Sequence, residues 1–129
     1  MRLYLTKWVT RFVRRERIGN GSLVQAVARA ELGLIDADLG GGIIKQRVAR
    51  SGQGRSGGYR VLIAYRADER AVFLYGFAKR ERDNINPDEL LTLREIGASW
   101  LAASAPQLAH AVAGGVLQEV VDDEAEGPT

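Results

Sequence analysis

The sequence predicts an α+β domain in which an N-terminal helical hairpin packs on a small, mainly antiparallel sheet, with a C-terminal helical extension. Three observations carry this. Apolar residues recur at helical spacing before residue 33, three runs rich in β-branched and aromatic residues lie between 42 and 78, and Asn86-Pro87-Asp88-Glu89 is a strong helix start. A length of 129 residues with 46% apolar content is enough for one core and too short for a second full domain. Residues 1–121 are read as that domain, with helices over 87–121, and the acidic residues 122–129 as a disordered tail.

Met1 to Lys7 is a short β-capable start. Trp8, Val9, Phe12 and Val13 then mark a helix, with Arg11, Arg14, Arg15 and Arg17 on its other side. Gly19-Asn20-Gly21 breaks the chain, and Asn20 or Ser22 can cap a second helix lined by Leu23, Val24, Val27 and Leu32. Three successive glycines, Gly40 to Gly42, end the helical part, because glycine loses most entropy in a regular element. Ile43 to Arg50 is extended and throws Lys45 and Arg47 to one face. Ser51 to Gly58 is a loop, Tyr59 to Tyr65 a buried strand, Asp68-Glu69 a turn, and Ala71 to Ala78 a third strand that runs into Lys79-Arg80-Glu81-Arg82. Leu90, Leu91, Leu93, Ile96 and Leu101 continue the helix begun at Asn86. Pro106 restarts a helix through Leu108, Val112, Val116, Leu117 and Val120, weakened by Gly114-Gly115.

The formal charge of +2 hides a strong polarity. Residues 1–82 hold 17 basic and 7 acidic side chains, and residues 83–129 hold 1 basic and 9 acidic. There is no cysteine, which excludes disulfides and thiolate metal sites and fits a reducing cytoplasm. The longest apolar stretch, Ala71 to Ala78, is far below the roughly 18 residues of a membrane span, and the N-terminus lacks the apolar core of a signal peptide. No membrane partner, cofactor or metal is expected.

Lys45, Arg47 and Arg50 on the first strand, Arg60 on the second, and Lys79, Arg80 and Arg82 after the third can converge on one surface suited to a polyanion. Arg supplies 15 of the 18 cations, and its planar fork holds phosphate oxygens bidentately. Arg55 lies in the glycine-rich loop, which reads either as a flexible hairpin loop carrying that cation or as a plain solvent loop. That loop lacks a Gly-Lys-Ser/Thr ending and a following helix, so as a nucleotide-binding signal it is weak. His110, the only histidine, reads as a helix residue.

Ile44-Lys45-Gln46-Arg47-Val48-Ala49-Arg50, Gly58-Tyr59-Arg60-Val61-Leu62 and Gly76-Phe77-Ala78-Lys79-Arg80-Glu81-Arg82, in this order, resemble the core of the RelE/ParE superfamily of toxins from type II toxin-antitoxin systems, its RelE and HigB branches above all. The resemblance implies a ribosome-dependent mRNA endonuclease in which a 2′-hydroxyl attacks the adjacent phosphorus and cations stabilise the developing charge, with no metal. It also implies that Arg60 and Arg80 clamp the scissile phosphate and that Lys45 and Arg47 form the basic strand of the site. Arg50, Arg55, Lys79 and Arg82 are then RNA-binding candidates. A cognate antitoxin, carrying a helix-turn-helix DNA-binding domain, together with the ribosome and mRNA, are the implied partners.

The sequence departs from this pattern where the RelE branch carries a tyrosine: Asn86 stands there, and an amide is no base near neutral pH. The acid/base role is open among Tyr59, Glu81 and Asp83. Two further readings are a ParE-like inhibitor of DNA gyrase or topoisomerase, and a catalytically inactive nucleic-acid-binding module. The acidic run Glu119 to Glu126 is expected either to fold over the cations or to serve as a solvated tail.

Overall fold

The computed structural model describes residues 1–49 and 58–121. The elements run β1 (Arg2–Thr6), α1 (Lys7–Glu16), α2 (Asn20–Glu31), β2 (Ala37–Gly40), β3 (Ile43–Val48), β4 (Tyr59–Arg66), β5 (Arg70–Ala78), α3 (Pro87–Ala102), α4 (Ala105–Ala113) and β6 (Leu117–Val120). All six strands form one sheet in the order β2-β3-β4-β5-β1-β6. β2 through β5 pair antiparallel, β1 runs parallel to β5, and β6 closes the far edge antiparallel to β1.

This overturns the expected architecture. The sheet is mixed and six-stranded instead of small and mainly antiparallel. β1, ahead of the first helix, belongs to this same sheet, and the longest helix, α3, comes after five of its six strands. α1 and α2 do not form a packed hairpin: α1 lies on β1 and β5, and α2 lies on β3. Nor is the C-terminal part purely helical. The residues expected to continue its last helix, Leu117 and Val120, form β6.

The physical reason lies in β4 and β5, which are apolar on both faces and need cover on both. Leu5, Val9, Phe12, Leu23, Val27, Val61, Ile63 and Phe73 form one core beneath α1 and α2. Tyr4, Ile43, Leu62, Val72, Leu74, Leu101 and Leu108 form a second beneath α3 and α4. Fully burying one such side chain contributes about 1.5–3 kcal/mol, so neither layer is dispensable. A β-bulge lets Leu62 face Tyr75 and Ile63 face Phe73, which leaves Leu74 as the extra residue and turns Leu74 and Tyr75 both toward the α3 side.

The helix termini are well specified. Asn86 caps α3 by accepting from the Glu89 amide (2.9 Å), and the Glu89 carboxylate accepts from the Asn86 amide (3.0 Å). At the other end Arg70 donates to the Trp100 and Ala103 carbonyls (2.9 and 2.7 Å), satisfying acceptors the helix leaves open. Ser104 and Gln107 repeat the capping box on α4. Among the described residues no helix is long and apolar enough to cross a membrane.

Candidate functional site

Alternation along β3 sets the site. Ile44, Gln46 and Val48 point toward α2, so Lys45 and Arg47 point to the other face. Arg47 stands directly opposite Arg60 of β4, and Arg60 opposite Phe77 of β5, so these three share the α3 face. α3 covers the half of that face holding Ile43 and Ala64, where Gly97 lets it approach. Lys45, Arg47, Arg60 and Phe77 occupy the other half, bordered by the segment between β5 and α3. Arg82 of that segment lies over the Phe77 ring at 5.5 Å, and Asn84 accepts from Lys45 Nζ at 3.3 Å.

Gln46 is completely buried and fully used. Its Nε2 donates to the Ala26 and Leu34 carbonyls (2.9 and 3.1 Å), and its Oε1 accepts from the Asp36 amide (2.7 Å). This anchors the turn after α2 and brings Asp36 to Arg47. The Arg47 amide donates to Asp36 Oδ2 at 2.7 Å and its Nη2 to Oδ1 at 3.0 Å, while Arg29 donates to Oδ2 at 3.3 Å and also reaches the Arg47 carbonyl. Burial pushes the Asp36 carboxyl up, but the hydrogen bonds from Arg47 and Arg29 and the Arg47 charge outweigh it and leave the group below the usual carboxylate range. Burial and the neighbouring Arg47 charge lower the Arg60 guanidinium, with Asp36 opposing.

The expected cations are thus not all brought to one place. Lys45, Arg47, Arg60 and Arg82 share the α3 side. Arg80 lies on the α1 side, 3.8 Å from Glu16 Oε1, where Tyr59 Oη donates to the same oxygen at 3.2 Å and Arg15 Nε sits 3.3 Å from Oε2. Lys79 pairs with Asp83 at 2.7 Å, and the bond from Lys79 holds that carboxyl below its usual range. Arg82 pairs with Glu89 at 2.6 Å, which lowers the Glu89 carboxyl and raises Arg82. Arg50 and Arg55 lie outside the described residues, as does the acidic run from 122. Glu119, grouped with that run, is part of β6 and bound by Arg2 (2.9 and 3.1 Å).

Of the acid/base candidates, Tyr59 is buried with its hydroxyl on Glu16, Asp83 is bound to Lys79, and Glu81 is exposed. Asn86 is committed to capping α3, a structural use of the position where the resemblance calls for tyrosine. His110 is exposed in the last turn of α4. Asp36, Gln46, Glu16 and Asn84 escaped the sequence reading. Gln46 alone carried a signal: a single amide on the core-facing side of a strand must find buried partners.

The fold is a sheet covered by helices on both faces, with Arg47 and Arg60 opposed on adjacent strands. Residues 1–120 match the family described as RelE toxin of RelE / RelB toxin-antitoxin system. The chain belongs to this RelE toxin family. It is accordingly a toxin of a toxin-antitoxin system, and a cognate antitoxin is its implied partner. No curated protein matches the chain significantly.

Proposed function

We propose that this toxin is a ribosome-dependent endoribonuclease of the cytoplasm that cuts mRNA by 2′-hydroxyl attack. The observation that carries the reading is the Arg47–Arg60 pair, opposed across β3 and β4 with Lys45 two residues before it, on the half of the sheet that α3 leaves uncovered. Two guanidiniums in such register suit a phosphodiester whose charge grows as the 2′-O–P bond forms and the P–O5′ bond breaks. Arg60 and Arg80 approach the strand ends from the two faces and clamp the scissile phosphate between them. The step needs a proton acceptor and a proton donor but no metal. Of Tyr59, Glu81 and Asp83 we take Tyr59 as the candidate, a reading supported by its sharing Glu16 with Arg80.

Induced expression in a bacterial host is expected to arrest growth and to generate new RNA 5′ ends within translated codons. Arg60→Ala with Arg80→Ala is expected to relieve both. Full toxicity in that double variant overturns the assignment of those residues. Arrest without new 5′ ends favours the ParE-like reading, inhibition of DNA gyrase or topoisomerase, which the capping role of Asn86 supports by removing the expected side chain from chemistry.

A further inference from the structure

Most cations gathered at the strand ends are neutralised, Arg47 by Asp36, Lys79 by Asp83, Arg80 by Glu16 and Arg82 by Glu89. Lys45 there bonds only the neutral Asn84, and a longer run of cations without a carboxylate partner among the described residues lies on α1. Lys7, Arg11 and Arg14 are all exposed, and among the described residues no carboxylate pairs with any of them. Their spacing of four and three residues puts them in one stripe about 10 Å long.

Helix physics explains this stripe poorly. Lys7 occupies the first helical position, beside the positive end of the macrodipole, and the first turn contains no acid. Lys7–Arg11 and Arg11–Arg14 are like-charge neighbours, which destabilise a helix. Only Arg14, in the last turn, stands where the dipole favours a cation. No carboxylate of the described residues offsets that cost, and an anion from outside the molecule would. Lys7 and Arg11 also line a cleft together with Gly115, Val116 and the first residues of β6, and the one carboxylate among its lining residues, Glu119, is taken up by Arg2.

We infer that Lys7, Arg11 and Arg14 form a docking surface on α1 for the phosphate backbone of double-helical RNA. The inference rests on the RNA-directed reading above for its choice of polyanion. A polypeptide partner needs an apolar centre, and the one large apolar residue exposed on α1 is Trp8, stacked on Phe12 and Tyr75. Phosphates need only cations, and three held in line on a rigid helix fit the regular phosphate array of a duplex better than a flexible single strand.

The test compares the full chain with a Lys7→Gln, Arg11→Gln, Arg14→Gln variant by fluorescence anisotropy on a labelled RNA hairpin across a salt series. The slope of log affinity against log salt is expected to fall in magnitude by about 2 to 3, while the thermal midpoint stays level or rises as like-charge repulsion is relieved. Arg11→Gln alone, expected to lower the slope by about 1, covers failure of the triple variant to fold. An unchanged slope in a folded variant overturns the inference. So does an equal loss on an unstructured single strand, or loss of polyglutamate binding with hairpin binding intact. The cleavage reading fails separately. Wild type that binds the hairpin through α1 yet cuts no translated message overturns the nuclease and leaves the docking surface standing.

Discussion

Gln46 occupies a core-facing position between Ile44 and Val48, where an apolar side chain would pack at lower desolvation cost, and it binds three backbone groups instead. What this achieves is the placement of Asp36, whose carboxylate collects the Arg47 amide and two guanidiniums. Arg47 is thereby held facing Arg60 although the two cations repel. The Asp36 pKa is depressed by folding, so its contribution to stability is complete above the unfolded value near 4 and is lost as the pH falls through the lower folded value. Asp36→Asn is therefore expected to cost about 2 kcal/mol at neutral pH, from the charge-assisted hydrogen bonds it gives up. Urea denaturation over a pH series should show that gap closing as the pH drops below about 4. A gap independent of pH would mean that Asp36 acts by shape and not by charge.

At the scale of elements, β4 and β5 were legible because each is a run rich in β-branched and aromatic residues, and β3 because Ile43, Ile44 and Val48 stand in a short stretch bounded by glycines before it and a glycine-rich run after it. α3 was legible at its start, where Asn86, Pro87 and Glu89 each serve a separate capping function. β2 and β6 were not. Both are four-residue edge strands, and Leu117 and Val120 are spaced three apart, which fits a helical face as well as a strand. Gly114-Gly115 was the deciding signal, read as a weak point in a helix when it ends one. Gly115 adopts φ +77°, which lets the chain reverse from α4 into β6. The site followed the same rule. Its cations could be read from β3 to β5, whereas their counter-ions Asp36, Glu16 and Glu89 come from other elements that only the fold brings near. Gly115→Ala meets no neighbouring atom and so isolates the backbone term. It is expected to cost about 1 kcal/mol. Amide exchange should quicken most in β6, and a uniform change across the sheet would count against β6 being held by that turn.

For the whole molecule, the decisive property is that the central strands are covered on both faces, and a glycine marks the closest approach on each. A Cβ at Gly76 would come within 2.6 Å of the Phe12 ring of α1, and a Cβ at Gly97 within 2.6 Å of Ile43 and 3.2 Å of Ala64 and Leu74. The second contact matters for function, because the seating of α3 over Ile43 and Ala64 fixes where its cover ends and the arginine pair begins. Gly21, also helical, has nothing within 4 Å of its would-be Cβ. Two opposite outcomes follow from the same residue type. Gly21→Ala gains helix propensity without a clash and is expected to stabilise by up to about 1 kcal/mol. Gly97→Val must push α3 off a close-packed sheet and is expected to destabilise by about 2–3 kcal/mol. Because both cores share β4 and β5, the loss should appear as one cooperative transition shifted to lower denaturant, with near-ultraviolet signals from Trp8 on α1 and Trp100 on α3 moving together. Separate transitions for the two tryptophans would show that the layers fold independently, and that the sheet does not couple the α1 face to the arginine pair on the other side.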